Sequence, residues 1–250
     1  MLTCNRTRDD CPGPFIAVLR RGHAPAYTTQ LHRESWSRRL RRLGLESLRD
    51  CGPRELAWRA LAVMGVRRLT VYRLRGEEVL ARGPDVPGVT VRTLSRQEIS
   101  AYVAMRPDTP ETEVTRRLRA GAECVTAWRD QRLVAARWRQ SGRIEMPYLG
   151  VSVQLHPEVS YAYDAYTRPD ERRRGVSAMV TAELVKSASR AGAKAVINAV
   201  LPENRGGGGL ARGRSGPIGV LRSLRLGRWM LIQSRVPPGF FGAPAALGSG

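Results

Sequence analysis

Residues 159–177 read VSYAYDAYTRPDERRRGVS, and this stretch decides the fold. Val159 to Thr167 is rich in β-branched and aromatic residues and predicts a strand. Pro169 stops it. Arg172, Arg173 and Arg174 then lead into Gly175-Val176-Ser177, the opening of a helix that runs to about Ala191. Val176, Met179, Val180, Leu184 and Ala188 recur at helical spacing on one face, and Gly192 follows as a C-terminal cap.

The first turn of a helix carries N–H groups with no intrahelical acceptor, pointing along the positive end of the macrodipole. Gly175 removes the Cβ that would keep a ligand from that backbone, and the three arginines add charge. The unit is therefore an anion cradle suited to a diphosphate. The bland counterpart is a solvated helix start after a proline turn.

The order of elements around this unit discriminates between the two. Upstream, Val89–Leu94 predicts a strand. Ser95 with Glu98 forms a capping-box start for a helix to about Met105. Pro107 and Pro110 break it, and Thr109 or Thr112 opens another helix ending near Gly121. Cys124–Arg129 and Leu133–Arg139 predict two strands joined by Asp130-Gln131 as a hairpin. After a turn at Ser141-Gly142 the chain reaches the strand from Val159. Downstream, Lys194–Leu201 predicts a buried strand and Ile218–Leu231 one or two more, with a glycine-rich segment from Gly206 to Gly216 between them.

On these residues the chain resembles the GNAT superfamily of N-acetyltransferases over about residues 89–232. The family's R/Q-x-x-G-x-G/A motif matches Arg172-Arg173-Arg174-Gly175-Val176-Ser177, with Ser in the last place. Tyr166-Thr167-Arg168-Pro169 resembles the family's strand end, Asn204 the Asn that follows the next strand, and Gly192 also fits. The resemblance implies an α/β fold with a mixed, mostly antiparallel central sheet flanked by helices. It implies that Arg172, Arg173, Arg174, Gly175, Val176, Ser177 and Asn204 bind the acyl-CoA. Ala165, Tyr166 and Thr167, at the end of the strand, would contact its pantetheine, and a bulge there would splay the strand from its neighbour. Asp164 is the resemblance's candidate general base. The activity implied is direct transfer of an acyl group, acetyl-CoA in the first instance, to an unidentified amine. The chain departs from the family after Asn204, where Gly206 to Gly209 replace a helix and no aromatic residue precedes Trp229. A non-catalytic acyl-CoA-binding module of the same fold is therefore the first alternative.

Outside that region the expected organisation is a mobile tail at 1–30, an Arg-rich helical extension with one strand at 31–86, the acyl-CoA-binding domain at 87–235, and a C-terminal tail at 236–250. Trp36, Leu40 and Leu43, then Leu56, Ala60, Val63 and Met64, mark the extension's helices, and Arg67–Leu74 its strand. Trp36, Trp58, Trp128 and Trp138 are expected to be packing residues.

The net charge is +20 over 250 residues, almost all of it from arginine. Such charge leaves a nucleic acid, an acidic protein or an anionic membrane surface open as a partner. The arginines are spread along the chain instead of gathered in one stripe, which favours solvated faces. Four cysteines without a CxxC pair and three histidines at 23, 32 and 156 argue against a zinc site. Scattered thiols, and charged residues where an export signal would be apolar, make a cytoplasmic location the expectation. No apolar run is long enough for a transmembrane helix.

Overall fold

A computed structural model of the chain describes residues 57–58, 61–62, 64–74, 85–202, 216–226 and 229–242 in full, and residues 16–20 and 243–246 as strand backbone. Among these the strands are β1 (Ile16–Arg20), β2 (Val66–Leu74), β3 (Val89–Thr93), β4 (Glu123–Arg129), β5 (Arg132–Ser141), β6 (Arg143–Met146), β7 (Val151–Leu155), β8 (Val159–Thr167), β9 (Ala195–Val200), β10 (Pro217–Leu226), β11 (Trp229–Ser234) and β12 (Phe241–Ala246). The helices are α1 (Ile99–Met105), α2 (Glu111–Arg119) and α3 (Val176–Arg190).

The main sheet runs β1-β11-β10-β2-β9-β8-β5-β4-β3, and β12-β7-β6 form a second sheet. Within the main sheet β8 and β9 are parallel and the other neighbours antiparallel. The fold is thus the mixed, mostly antiparallel α/β sheet with flanking helices that the resemblance implies.

Local chemistry accounts for the elements that carry the site. Asp130 and Gln131 both take positive φ, 48° and 61°, which matches the right-handed twist of the β4–β5 hairpin they close. The Glu98 carboxylate accepts the Ser95 amide at 2.9 Å, closing one half of the box that leads into α1. Pro110, not a threonine, stands at the N-cap of α2. Its missing N–H costs nothing there, and Glu111 and Glu113 suit the positive end of the helix.

Two packing layers fix the sheet from opposite sides. α3 lays Val176, Val180, Leu184 and Ala188 on Val125, Ala127, Val134, Ala135 and Ala162. α1 and α2 cover the other face around Trp138, which is fully buried and donates from Nε1 to the Tyr102 hydroxyl at 2.8 Å. Beyond β9, the β6–β7 hairpin and Phe241 of β12 pack on Leu69, Val71, Ile197, Leu221 and Ile232.

Several boundaries differ from the sequence reading. Ile16–Arg20, within the expected N-terminal tail, pairs with β11. Phe241–Ala246, within the expected C-terminal tail, pairs with β7. The density of Pro and Gly around both segments concealed short apolar runs that gain paired backbone by joining a sheet. β6 and β7 went unread because Gly142 and Gly150 punctuate strands of only four and five residues. The expected strand at 67–74 is present, but it lies between β9 and β10, so the sheet continues across the boundary placed near residue 87. The helical pattern at 31–56 and the glycine-rich segment at 206–215 lie outside the described residues.

β2 satisfies the outer edges of both β9 and β10, and Val71 at its centre is fully buried. A chain beginning at Pro87 would leave two strand edges open and a cavity in the core. Such a truncation is expected to lose cooperative thermal unfolding, measured by circular dichroism. A sharp transition near that of the full chain would mean that β2 is dispensable.

Candidate functional site

The β8–β9 pair opens into a fork. Parallel pairing joins Val159 to Ala195 and ends with Ala162 opposite Asn198. Beyond that point β8 continues to Thr167 bonded to β5, while Ala199 and Val200 of β9 pair with β2. The edges of Tyr163–Thr167 and Ala199–Val200 therefore face each other without a shared ladder.

The cause is a bulge in β8. Trp138 pairs with Tyr163 and Ala136 with Tyr166, so Asp164 and Ala165 together oppose the single residue Arg137. Asp164 takes φ 45°, the left-handed conformation that Asp and Asn tolerate better than most residues. A bulge bends its strand and raises its twist, and here the bend carries β8 away from β9.

The cradle stands at the mouth of this fork. Pro169 opens a short 3-10 turn through Glu171. Arg173 (φ 62°) and Gly175 (φ 86°) then turn the chain into α3. Gly175 caps α3, and its carbonyl accepts the amides of Ala178 and Met179 at 2.8 and 3.2 Å. Among the described residues the amides of Arg173, Arg174, Gly175, Val176 and Ser177 have no backbone acceptor. The loop is held from behind: Glu171, 5% exposed, receives Arg129 Nε at 3.0 Å, and Arg129 Nη1 reaches the Pro87 carbonyl at 2.9 Å. Arg172 Nε donates to the Thr167 carbonyl at 3.2 Å, joining the cradle to the strand end. The side chains of Arg172, Arg173 and Arg174 are exposed.

The structure thus brings Ala165, Tyr166, Thr167, Arg172, Arg173, Arg174, Gly175, Val176 and Ser177 to one end of the fork. Asn204 lies outside the described residues. Asn198, at the fork's apex, was not singled out in the sequence. It is 9% exposed, and among the described residues its buried Oδ1 has no hydrogen-bond partner.

On the face covered by α1 and α2, the fork is bordered by Tyr163 and Tyr166, with Tyr161 just before its apex. The rings of Tyr161 and Tyr163 stack at 5.7 Å, and Trp138 stacks on Tyr163 at 6.4 Å. Arg106 lies 4.8 Å over the Tyr166 ring, and Arg117 lies 5.3 Å from Trp138 and 5.5 Å from Tyr163. Burial pushes the Tyr163 phenol well up, so it is protonated at neutral pH.

Asp164 sits under these two arginines. Oδ1 accepts Arg106 Nη1 at 3.0 Å and Oδ2 accepts Arg117 Nη1 at 2.6 Å, with the Asp164 side chain 20% exposed. Burial pushes its carboxyl up, but the guanidiniums of Arg106 and Arg117 outweigh burial and hold it below the usual carboxylate range. Glu113 fixes Arg117 from the other side, accepting its Nε at 2.8 Å. A carboxylate with both oxygens engaged and a lowered proton affinity is a poor acceptor for an ammonium proton. In this arrangement Asp164 clamps α1 and α2 to the bulge, with both carboxylate oxygens engaged.

Arg137 is the other residue that the sequence left unremarked. From β5 it points under α3, donates from Nη1 to Thr181 Oγ1 at 2.8 Å, and is 8% exposed. Burial pulls its guanidinium down to about 10, against a smaller upward pull from Tyr161. An arginine inside the apolar run Leu133–Trp138 is itself a signal that sequence reading could have used.

Among the described residues no helix is long and apolar enough to cross a membrane, and no cluster of three or more His, Cys, Asp or Glu could hold a metal ion.

No family model and no curated protein matches the chain. Solved structures do show similarity. A conserved protein of unknown function from Staphylococcus epidermidis aligns at 12% identity over 73% of this chain and 68% of its own, with a TM-score of 0.46. A ribosomal-protein-alanine N-acetyltransferase from Brucella melitensis aligns at 16% identity over 51% of this chain and 91% of its own, with a TM-score of 0.41. An aminoglycoside N-acetyltransferase in complex with CoA aligns at 14% identity over 50% of this chain and 88% of its own, with a TM-score of 0.42.

The clamp makes a prediction with a pH signature. Asp164→Asn preserves the left-handed backbone but leaves Arg106 without its anion and Arg117 with Glu113 alone, so it is expected to destabilise the fold by about 3 kcal/mol at pH 7. Because the folded carboxyl is depressed, its contribution is full above the unfolded value of roughly 4. It fades as the pH falls through the folded one. Urea unfolding of both proteins at pH 7 and pH 3 checks this. A gap that is equal at both pH values would remove the ion pairs as its source.

Proposed function

We propose that this chain is an acyl-CoA-dependent N-acyltransferase that binds its thioester in the β8–β9 fork. The observation that carries the reading is the coincidence of two features. A parallel strand pair is opened by a bulge, and a glycine-capped helix start with outward amides stands at the mouth of the opening.

In this reading the amides of Arg173 to Ser177 and the positive end of α3 hold the diphosphate, with Arg172 and Arg174 adding charge. The free edge of Tyr163–Thr167 hydrogen-bonds the pantetheine amides as a strand would. Tyr161, Tyr163 and Tyr166 border the face from which an amine approaches. The amine attacks the thioester carbonyl directly. A β8 amide at the bulge stabilises the developing oxyanion, the C–S bond breaks, and CoA leaves as its thiolate. Acetyl-CoA is the first donor to try, and a cytoplasmic enzyme is the natural setting for it.

The second reading is a binding module that holds acyl-CoA without turning it over. It is favoured by one observation, the engagement of both Asp164 oxygens by Arg106 and Arg117. In the first reading the amine must then lose its proton to solvent or arrive neutral, so turnover should rise with pH toward the acceptor's own pKa.

Titration calorimetry with acetyl-CoA, followed by thioester consumption with a panel of amines, separates the readings. Binding with turnover supports the enzyme, binding without turnover supports the module, and absence of binding overturns both. Gly175→Asp sets a charged side chain against the diphosphate and is expected to weaken CoA binding by about tenfold or more. Gly175→Asn, which tolerates the same backbone without the charge, should lose less. Equal affinity in wild type and Gly175→Asp would displace the diphosphate from this helix.

A further inference from the structure

Most of the partly buried arginines near the fork have a carboxylate. Arg106 and Arg117 hold Asp164, Arg129 holds Glu171, and Arg139 holds Glu123 at 2.6 Å. Arg137 differs. It is 8% exposed, and among the described residues its one side-chain partner is the Thr181 hydroxyl, which itself donates to the Ser177 carbonyl at 2.7 Å. Among the described residues its Nε, like those of Arg139 and Arg168, is buried with no hydrogen-bond partner.

A buried cation without an anion is costly, and its position makes the cost greater. It lies beneath the first turns of α3, where the helix already presents its positive end. Arg168, Arg172, Arg173 and Arg174 crowd the same end. The nearby carboxylates are committed, Glu171 to Arg129 at 3.0 Å and Asp170 to Arg132 at 3.0 Å. Uncompensated buried charge of one sign, stacked on a helix N-terminus, is what a site looks like when the missing counter-charge arrives with the ligand.

We propose that Arg137 is a positioning residue for the diphosphate, the buried half of a cradle whose exposed half is the backbone of residues 173–177. It acts through Thr181 and Ser177 and through its field in a dry interior, where a charge is screened far less than on the surface. Its place opposite the bulge means that one register position both splays β8 and puts the cation under the helix. The inference rests on the acyl-CoA reading and adds a specific requirement to it: affinity for the charged part of the ligand should depend on a side chain that the ligand does not touch.

The test uses the full-length chain, the variants Arg137→Met and Arg137→Lys, and three probes: CoA, pantetheine, which lacks the diphosphate, and inorganic pyrophosphate. Arg137→Met keeps the length and removes the charge. It is expected to leave the melting temperature of the unliganded protein unchanged or higher, because an uncompensated buried charge is gone. It should weaken CoA binding by about tenfold or more and leave pantetheine binding unchanged. Arg137→Lys, which retains the charge, should recover most of the CoA affinity. An Arg137→Met protein that fails to fold, melts well below wild type, or loses CoA and pantetheine affinity in parallel would make Arg137 a structural residue and overturn the proposal. So would unchanged CoA affinity. If wild type binds no CoA, the acyl-CoA reading fails separately. Pyrophosphate binding that is lost in Arg137→Met would then still support the cradle, and absence of pyrophosphate binding would overturn it as well.

Discussion

The bulge at Asp164-Ala165 is the constraint on which the site depends. A regular β8 would stay paired with β9 to its end, and no opening would lie below α3. Two residues against one on the β5 side bend the strand, and the bend needs an anchor because Asp164 is held at positive φ. Arg106 from the end of α1 and Arg117 from α2 supply it, each taking one oxygen of the same carboxylate. The helices α1 and α2 on one face of the sheet thereby hold open a fork whose mouth lies at the start of α3 on the other face.

The charge of the chain takes on a different meaning at this level. A value of +20 suggests a polyanion partner, yet the arginines nearest the fork are mostly internal struts. Arg139 bridges β5 to Glu123 and Ser187, Arg129 ties the cradle loop to β4, and Arg117 spans Glu113 and Asp164. Guanidinium suits these posts because its planar fork of donors engages two partners at once and its stem packs on aromatic rings, as Arg117 does on Trp138 and Tyr163.

What the sequence disclosed and what it withheld follow from the range of the interactions. The cradle was legible because Pro169, Gly175 and the apolar face of α3 are local signals, and so was the hairpin at Asp130-Gln131. The bulge was foreseen only through family resemblance, since nothing in AYDAYT itself says which residue will lack a partner. The saturation of Asp164 was hidden because its partners lie 47 and 58 residues away in sequence. The place of β2 was hidden for the same reason: an isolated alternating segment reads as a strand, but its neighbours are set by edges that exist only once β9 and β10 have formed.

Amide hydrogen exchange on the full chain with and without CoA tests the central claim most directly, because the claim concerns particular backbone amides. The account predicts added protection at Arg173 to Ser177 and along Tyr163 to Thr167, with β4 and the β6–β7 hairpin unchanged. Protection that appears elsewhere, or no change at these amides at saturating CoA, would contradict it.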